Sequence, residues 1–180
     1  DEMRFGGRIR YGEWLDDAHY YGLEWEYLGL EQGNAAGSVT SDGSTIYGRP
    51  FFNALTGQQD AELVAFPSLL AGSADATVLS SFESGGVRLL VNLSEGSPAD
   101  FPCGYSRWDF LIGYRYARLH DMVRINEDLT SLVGGNPGTF DISDGFDTRN
   151  TFHGADLGLK WQGHNQDVTL QLLAKVGLGN

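Results

Sequence analysis

Apolar and polar side chains alternate along this chain with a period of two, in stretches of about ten residues, the length that crosses a bilayer as a tilted strand. Stripes with helical spacing are nearly absent. From Arg4 to Tyr11, one phase holds Phe5, Gly7, Ile9 and Tyr11, and the other holds Arg4, Gly6, Arg8 and Arg10. Tyr21, Leu23, Trp25 and Tyr27 then alternate with Gly22, Glu24 and Glu26. The same pattern sets Val87, Leu89, Val91 and Leu93 against Arg88 and Asn92. Trp108, Phe110, Ile112, Tyr114 and Tyr116 oppose Arg107, Asp109, Gly113 and Arg115. Two last stretches set Ala155, Leu157, Leu159 and Trp161 against Asp156, Gly158, Lys160 and Gln162, and Val168 to Leu178 against Thr169, Gln171, Lys175 and Gly177. Successive strand side chains point to opposite faces, so each stretch predicts a strand with one apolar and one polar face. Six strands are predicted.

Eight of the twelve basic residues, Arg4, Arg8, Arg10, Arg88, Arg107, Arg115, Lys160 and Lys175, fall on the polar phase beside glycines. A wet sheet face gives glycine no reason to gather there, whereas a narrow, crowded, charged interior does. The expected fold is all-β, an antiparallel up-and-down transmembrane β-barrel with at least six strands present. Its interior is expected to hold a charge network of Arg8, Arg10, Glu24, Glu26, Arg88, Arg107, Asp109, Arg115, Asp156, Lys160 and Lys175. On the lipid face an Arg or Lys would cost about 2–4 kcal/mol at the midplane. A secreted soluble β-barrel or β-sandwich serving as a binding module, with those charges in water, is the alternative.

The connections run short, long, short, long, short: Asp16 to His19, about forty residues, Ser94 to Gly104, about twenty residues to Arg149, and Gly163 to Gln166. Outer-membrane barrels have short periplasmic turns and long extracellular loops, so this order assigns the sides. Tyr20, Tyr21, Tyr105, Trp108 and Trp161 gather near the short-turn ends as an aromatic girdle should, and Trp14 lies there in the inward phase. The long connection 33–73 is expected to be an extracellular or plug loop. Residues 1–180 read as one β-barrel domain and as part of a larger one. With both termini periplasmic and an even strand count, at least one strand precedes the first and one follows the sixth, a minimum of about eight.

Several segments resemble the outer-membrane β-barrel porin family numbered seven in its naming series, abundant in planctomycete bacteria. They are Gly6 to Gly12 with Trp14 to Asp17, Gly22-Leu23-Glu24 with Glu26-Tyr27, Arg49-Pro50-Phe51-Phe52, Glu62 to Ala65, Gly113 to Tyr116, Phe146 to Asn150 and Phe152-His153-Gly154. The resemblance covers nearly the whole chain. It implies a bacterial outer-membrane barrel of no established substrate and supplies no catalytic residue.

Composition narrows the chemistry. The chain has 180 residues and a net charge of −12, which disfavours a nucleic-acid partner. One cysteine, Cys103, excludes an intrachain disulfide and a thiolate zinc cluster. Glu24 and Glu26 share a face, as an acid/base pair could. The tight turn at 16–19 offers a simpler role, placing Arg10 and Arg8 opposite Glu24 and Glu26 in a cross-strand ladder. His19, His120, His153 and His164 lie near turns or strand ends without metal-ligand spacing, and His120-Asp121 lacks a nucleophile elbow and reads as a strand-end pair. Asp141 to Asp147 lacks the spacing of a calcium loop, and the Asn92 sequon falls on the inward phase. No enzyme activity, cofactor or metal is expected. The expected partners are the lipid bilayer and other chains of an envelope assembly or a homo-oligomer.

Overall fold

A computed structural model describes residues 3–96, 104–134, 138–165 and 167–180. Cys103 and Gln166 lie outside them. The chain forms β1 (Gly6–Trp14), β2 (Tyr21–Ser41), β3 (Tyr47–Asn53), β4 (Gln58–Ala65), β5 (Leu70–Gly96), β6 (Gly104–Ser131), β7 (Thr139–Asn165) and β8 (Val168–Gly179). The fold is all-β with antiparallel strands. One six-stranded sheet has the order β1-β2-β5-β6-β7-β8, and β3 pairs with β4 in a separate hairpin. Strands β1 and β8 are the two ends of that order, so the described strands do not close on one another.

All six stretches of two-residue alternation are strands of the large sheet, but β5, β6 and β7 are 27, 28 and 27 residues long, not about ten. The connection expected as a loop over 33–73 is mostly strand: the end of β2, the β3–β4 hairpin and the start of β5. The second long connection is likewise taken up by β6 and β7. Both were missed for one reason. Gly33 to Ser41 carries polar or small residues on nearly every position, Thr139 to Asn150 has Phe140, Ile142 and Phe146 on one phase interrupted by Asp144, and backbone pairing requires no strong contrast between the faces.

The chain divides into two compact units. The first comprises residues 32–80 and 120–148; the second comprises 3–31, 81–119 and 149–180. In the first, Val64, Ala65 and Leu129 are buried. Gly72 makes their approach possible, since a Cβ there would stand 2.6 Å from the Val64 carbonyl oxygen and 2.7 Å from Leu129 Cδ2.

In the second unit, β1 and β2 pair with Trp14 opposite Gly22 and Arg10 opposite Glu26. The expected ladder is therefore shifted: Gly12 faces Glu24, and Arg8 faces Leu28. The turn causes this, because it takes in all of Leu15 to Tyr20. Asp16 accepts the amide N–H of Tyr21 at 2.7 Å and that of Tyr20 at 3.0 Å, and His19 adopts a positive φ of 55°. Those two amide donors hold the Asp16 carboxyl below the usual carboxylate range.

A lowered native pKa means that the turn's stabilisation is complete above the ordinary carboxylate pKa and is lost as pH falls through the native value. Hydrogen exchange at the Tyr20 and Tyr21 amides should therefore be slow at neutral pH. On acidification, protection beyond the intrinsic pH trend should fall away. Asp16→Asn should weaken protection at neutral pH and abolish its acid dependence.

Candidate functional site

The faces of the second unit are inverted relative to a protein core in water. Ile9, Tyr11, Trp25, Ile112, Leu172 and Val176 lie exposed, Trp25 and Ile112 at 44% and Leu172 at 59%. Glu24, Glu26, Arg88, Arg107, Asp109, Asp156 and Lys160 are buried, with Arg88 only 1% exposed. Burying a Leu or Ile side chain is worth about 1.5–3 kcal/mol, and desolvating an unpaired ion costs several more. In water both terms oppose this arrangement; against an apolar surrounding the outer-face term reverses. The polar face must then satisfy its charges internally.

It does so around Arg88 on β5. Its Nε bonds Asp156 on β7, and its Nη1 reaches Glu24 Oε1 at 3.0 Å and Glu26 Oε2 at 3.1 Å, both on β2. Glu26 also takes Arg8 at 3.0 Å, Arg10 at 3.7 Å and Lys175 at 3.1 Å. Arg115 meets Asp156 at 3.1 Å. Lys175 on β8 and Glu26 on β2 are separated in the sheet by β5, β6 and β7. Their contact shows that the sheet of this unit curls around its charged face.

Arg88 reaches Asp156 by crossing β6, and Gly113 is what it crosses. A Cβ on Gly113 would stand 2.6 Å from Arg88 Cα and 2.9 Å from its Cγ. The glycines among the charges thus make room for long side chains lying flat across the neighbouring strand.

A second group lies nearer the short turns. Arg107 bonds Asp109 at 2.5 Å, Lys160 approaches Asp109 at 3.5 Å, and Arg107 Nη2 donates to the His19 carbonyl at 2.7 Å. Trp14, in the inward phase, lies under the Arg107 guanidinium at 3.8 Å from the ring centroid, a cation–π contact. All eleven residues of the expected charge network are thereby joined by ion pairs.

The aromatic residues divide. Tyr20 and Tyr21 stand exposed side by side, and Trp108 pairs with Trp161 on the apolar face with centroids 6.5 Å apart. Tyr105 shares the phase of Arg107 instead, and its hydroxyl donates to Glu95 Oε1 at 3.0 Å. His120 lies within β6 rather than at a strand end, and it pairs with Asp147 at 3.0 Å, not with Asp121. Neighbours in a strand point apart, whereas a residue on the adjacent strand can face it. His153 lies within β7 and meets Tyr114. Asp141 to Asp147 is strand, which sends its carboxylates to alternate faces. Among the described residues, no group of three or more His, Cys, Asp or Glu is placed to hold a metal ion.

Two features escaped the sequence reading. Leu90 and Leu111 interrupt the polar phase and are buried within the charged face. In the first unit, Arg49 on β3 gathers Glu62 on β4, Glu127 on β6 and Asp144 on β7 at 2.5, 2.6 and 2.6 Å. Spacing gives no hint of that group, because its acids lie 13, 78 and 95 positions from Arg49.

The family model described as "Putative beta barrel porin-7 (BBP7)" matches residues 1–180, the whole chain. No curated protein matches it.

Arg88→Ala should remove the cation that Asp156, Glu24 and Glu26 share, leaving Glu24 with Arg10 at 4.0 Å, and lower stability by about 3–5 kcal/mol, the cost of breaking a buried pair. Arg8→Ala, at a side chain 46% exposed, should cost about 0–1 kcal/mol. Urea unfolding in detergent, followed by the heat-modifiable gel shift, measures both.

Proposed function

We propose that this chain, which belongs to the beta barrel porin-7 family, is a bacterial outer-membrane β-barrel protein with a structural or pore-forming role and no enzymatic one. The inverted second unit is the observation that carries this reading. Its strands present an apolar face to lipid and enclose their charges. On β6 the outward run between Ser106 and Arg118 takes in Trp108, Phe110, Ile112, Tyr114 and Tyr116. Twelve residue steps of about 3.3 Å, tilted by about 40°, rise about 30 Å. That height matches a hydrocarbon core of about 30 Å.

In lipid, unsatisfied backbone groups cost several kcal/mol each, so the outer edges of β1 and β8 need strand partners. A barrel of eight or more strands supplies them, from this chain or from other chains of the envelope. The polar face carries seven bases, Arg8, Arg10, Arg88, Arg107, Arg115, Lys160 and Lys175, against the acids Glu24, Glu26, Asp109 and Asp156. Any current along it should therefore favour anions.

Reconstitution into vesicles with acyl chains brominated at defined depths tests the membrane reading. A variant retaining Trp25 as its sole tryptophan should be strongly quenched, and the protein should need detergent to remain dispersed after extraction. A secreted binding module would show unquenched Trp25 and stay soluble without detergent.

A further inference from the structure

We propose that the charged interior of the second unit is a seal: at rest it separates two blind vestibules and passes no solute. The inference rests on the membrane reading above and specifies the state of the pore. Among the described residues, two cavities are lined by polar-phase residues of this unit. One, of about 180 Å³, lies toward the short turns and is lined by Gly12, Trp14, Glu24, Leu90 and Lys160 among others. The other, of about 490 Å³, is lined by Phe82, Leu119, Asn150 and Phe152 among others. They share no lining residue.

The order of residues along each strand places the ionic cluster between them. On β5, Phe82 borders the larger cavity, Leu90 borders the smaller, and Arg88 lies between. On β7, Phe152 and Lys160 mark the two cavities, and Asp156 lies between. On β6, Leu111 and Arg115 fall on the turn side of Leu119. At this level Arg88, Leu111 and Asp156 are all at most 1% exposed.

Charged side chains lining an open channel would be wet. At the centre of this cluster they are not: Arg88 and Asp156 are buried, Arg88 is closed in by carboxylates from β2 and β7, Lys175 reaches in from β8, and the partly exposed Arg8 and Arg10 reach in from β1. Leu111, on the same phase of β6 as Arg115, is fully buried. Strands β1, β5, β6 and β8 contribute a base or an apolar side chain to the fill, and β2 and β7 contribute the acids that hold Arg88. Moving an ion through would require separating Arg88 from Asp156 and Glu24 together, because each charged side chain of that cluster among the described residues is held in an ion pair. The seal is held by charge, so removing one charge of each sign should open it while leaving the net charge of the wall unchanged.

The test uses the full chain reconstituted with brominated lipids, with quenching of tryptophan fluorescence reporting insertion and planar-bilayer recording reporting conduction. The inserted wild type should give only baseline current. Arg88→Ala/Asp156→Ala should insert and raise the current about tenfold above that baseline, with a reversal potential on the anion side. Steady wild-type current with quenching overturns the seal alone, and this measurement needs no variant to fold. A double variant that inserts and stays silent overturns the assignment of the seal to this cluster. Absence of quenching in the wild type overturns the membrane reading, and the seal with it.

Discussion

A guanidinium withdrawn from water has to be surrounded by anions, and Arg88 imposes that requirement on most of the second unit. Its carboxylate partners come from strands on either side, Glu24 and Glu26 from β2 and Asp156 from β7. For all three to meet one side chain, the sheet must curl until β2 and β7 face each other across β5 and β6. Gly113 must lack a side chain for Arg88 to lie across it. The remaining cations then compensate what Arg88 leaves unbalanced: Lys175, Arg8 and Arg10 on Glu26, and Arg115 on Asp156. Single-residue economy is absent here. Each carboxylate serves two or more cations, so the members stand or fall as a network.

The same constraint explains the outer face. A unit whose interior is ionic has no room there for Trp25, Ile112 or Leu172, and these stand outward. Such a surface is unfavourable in water and favourable in hydrocarbon, which is why the inversion bears on function rather than only on packing. The first unit is mixed, with Phe52, Phe140 and Phe146 exposed and Glu127 buried. Val64, Ala65 and Leu129 are buried, and a single arginine, Arg49, ties the β3–β4 hairpin to β6 and β7 through Glu127 and Asp144.

Sequence by itself determined the strands of the second unit, their two faces and the residues of the charge network. The physical reason is that a strand's side chains alternate strictly, so Arg8 and Arg10, or Asp109 and Arg115, share a face whatever the sheet does next. Alternation is silent where both phases are polar or small, as in Gly33 to Ser41, and it is broken in the β3–β4 hairpin, where Phe51-Phe52 and Leu63-Val64 put apolar side chains on both phases. Register was read two residues off in β1–β2, because the Asp16 hydrogen bonds that set the turn's length depend on backbone geometry.

Only the tertiary structure decided which charges pair. Arg88 and Asp156 are 68 positions apart, and Glu26 and Lys175 are 149 apart. Phase places such residues on the same face, but the curl of the sheet brings them within bonding distance. That curl is a collective property of strands whose order in space, β1-β2-β5-β6-β7-β8, follows their order in the chain with only the β3–β4 hairpin set aside. Face membership is local and therefore written in the sequence; contact across four strands is global and exists only once the sheet has formed.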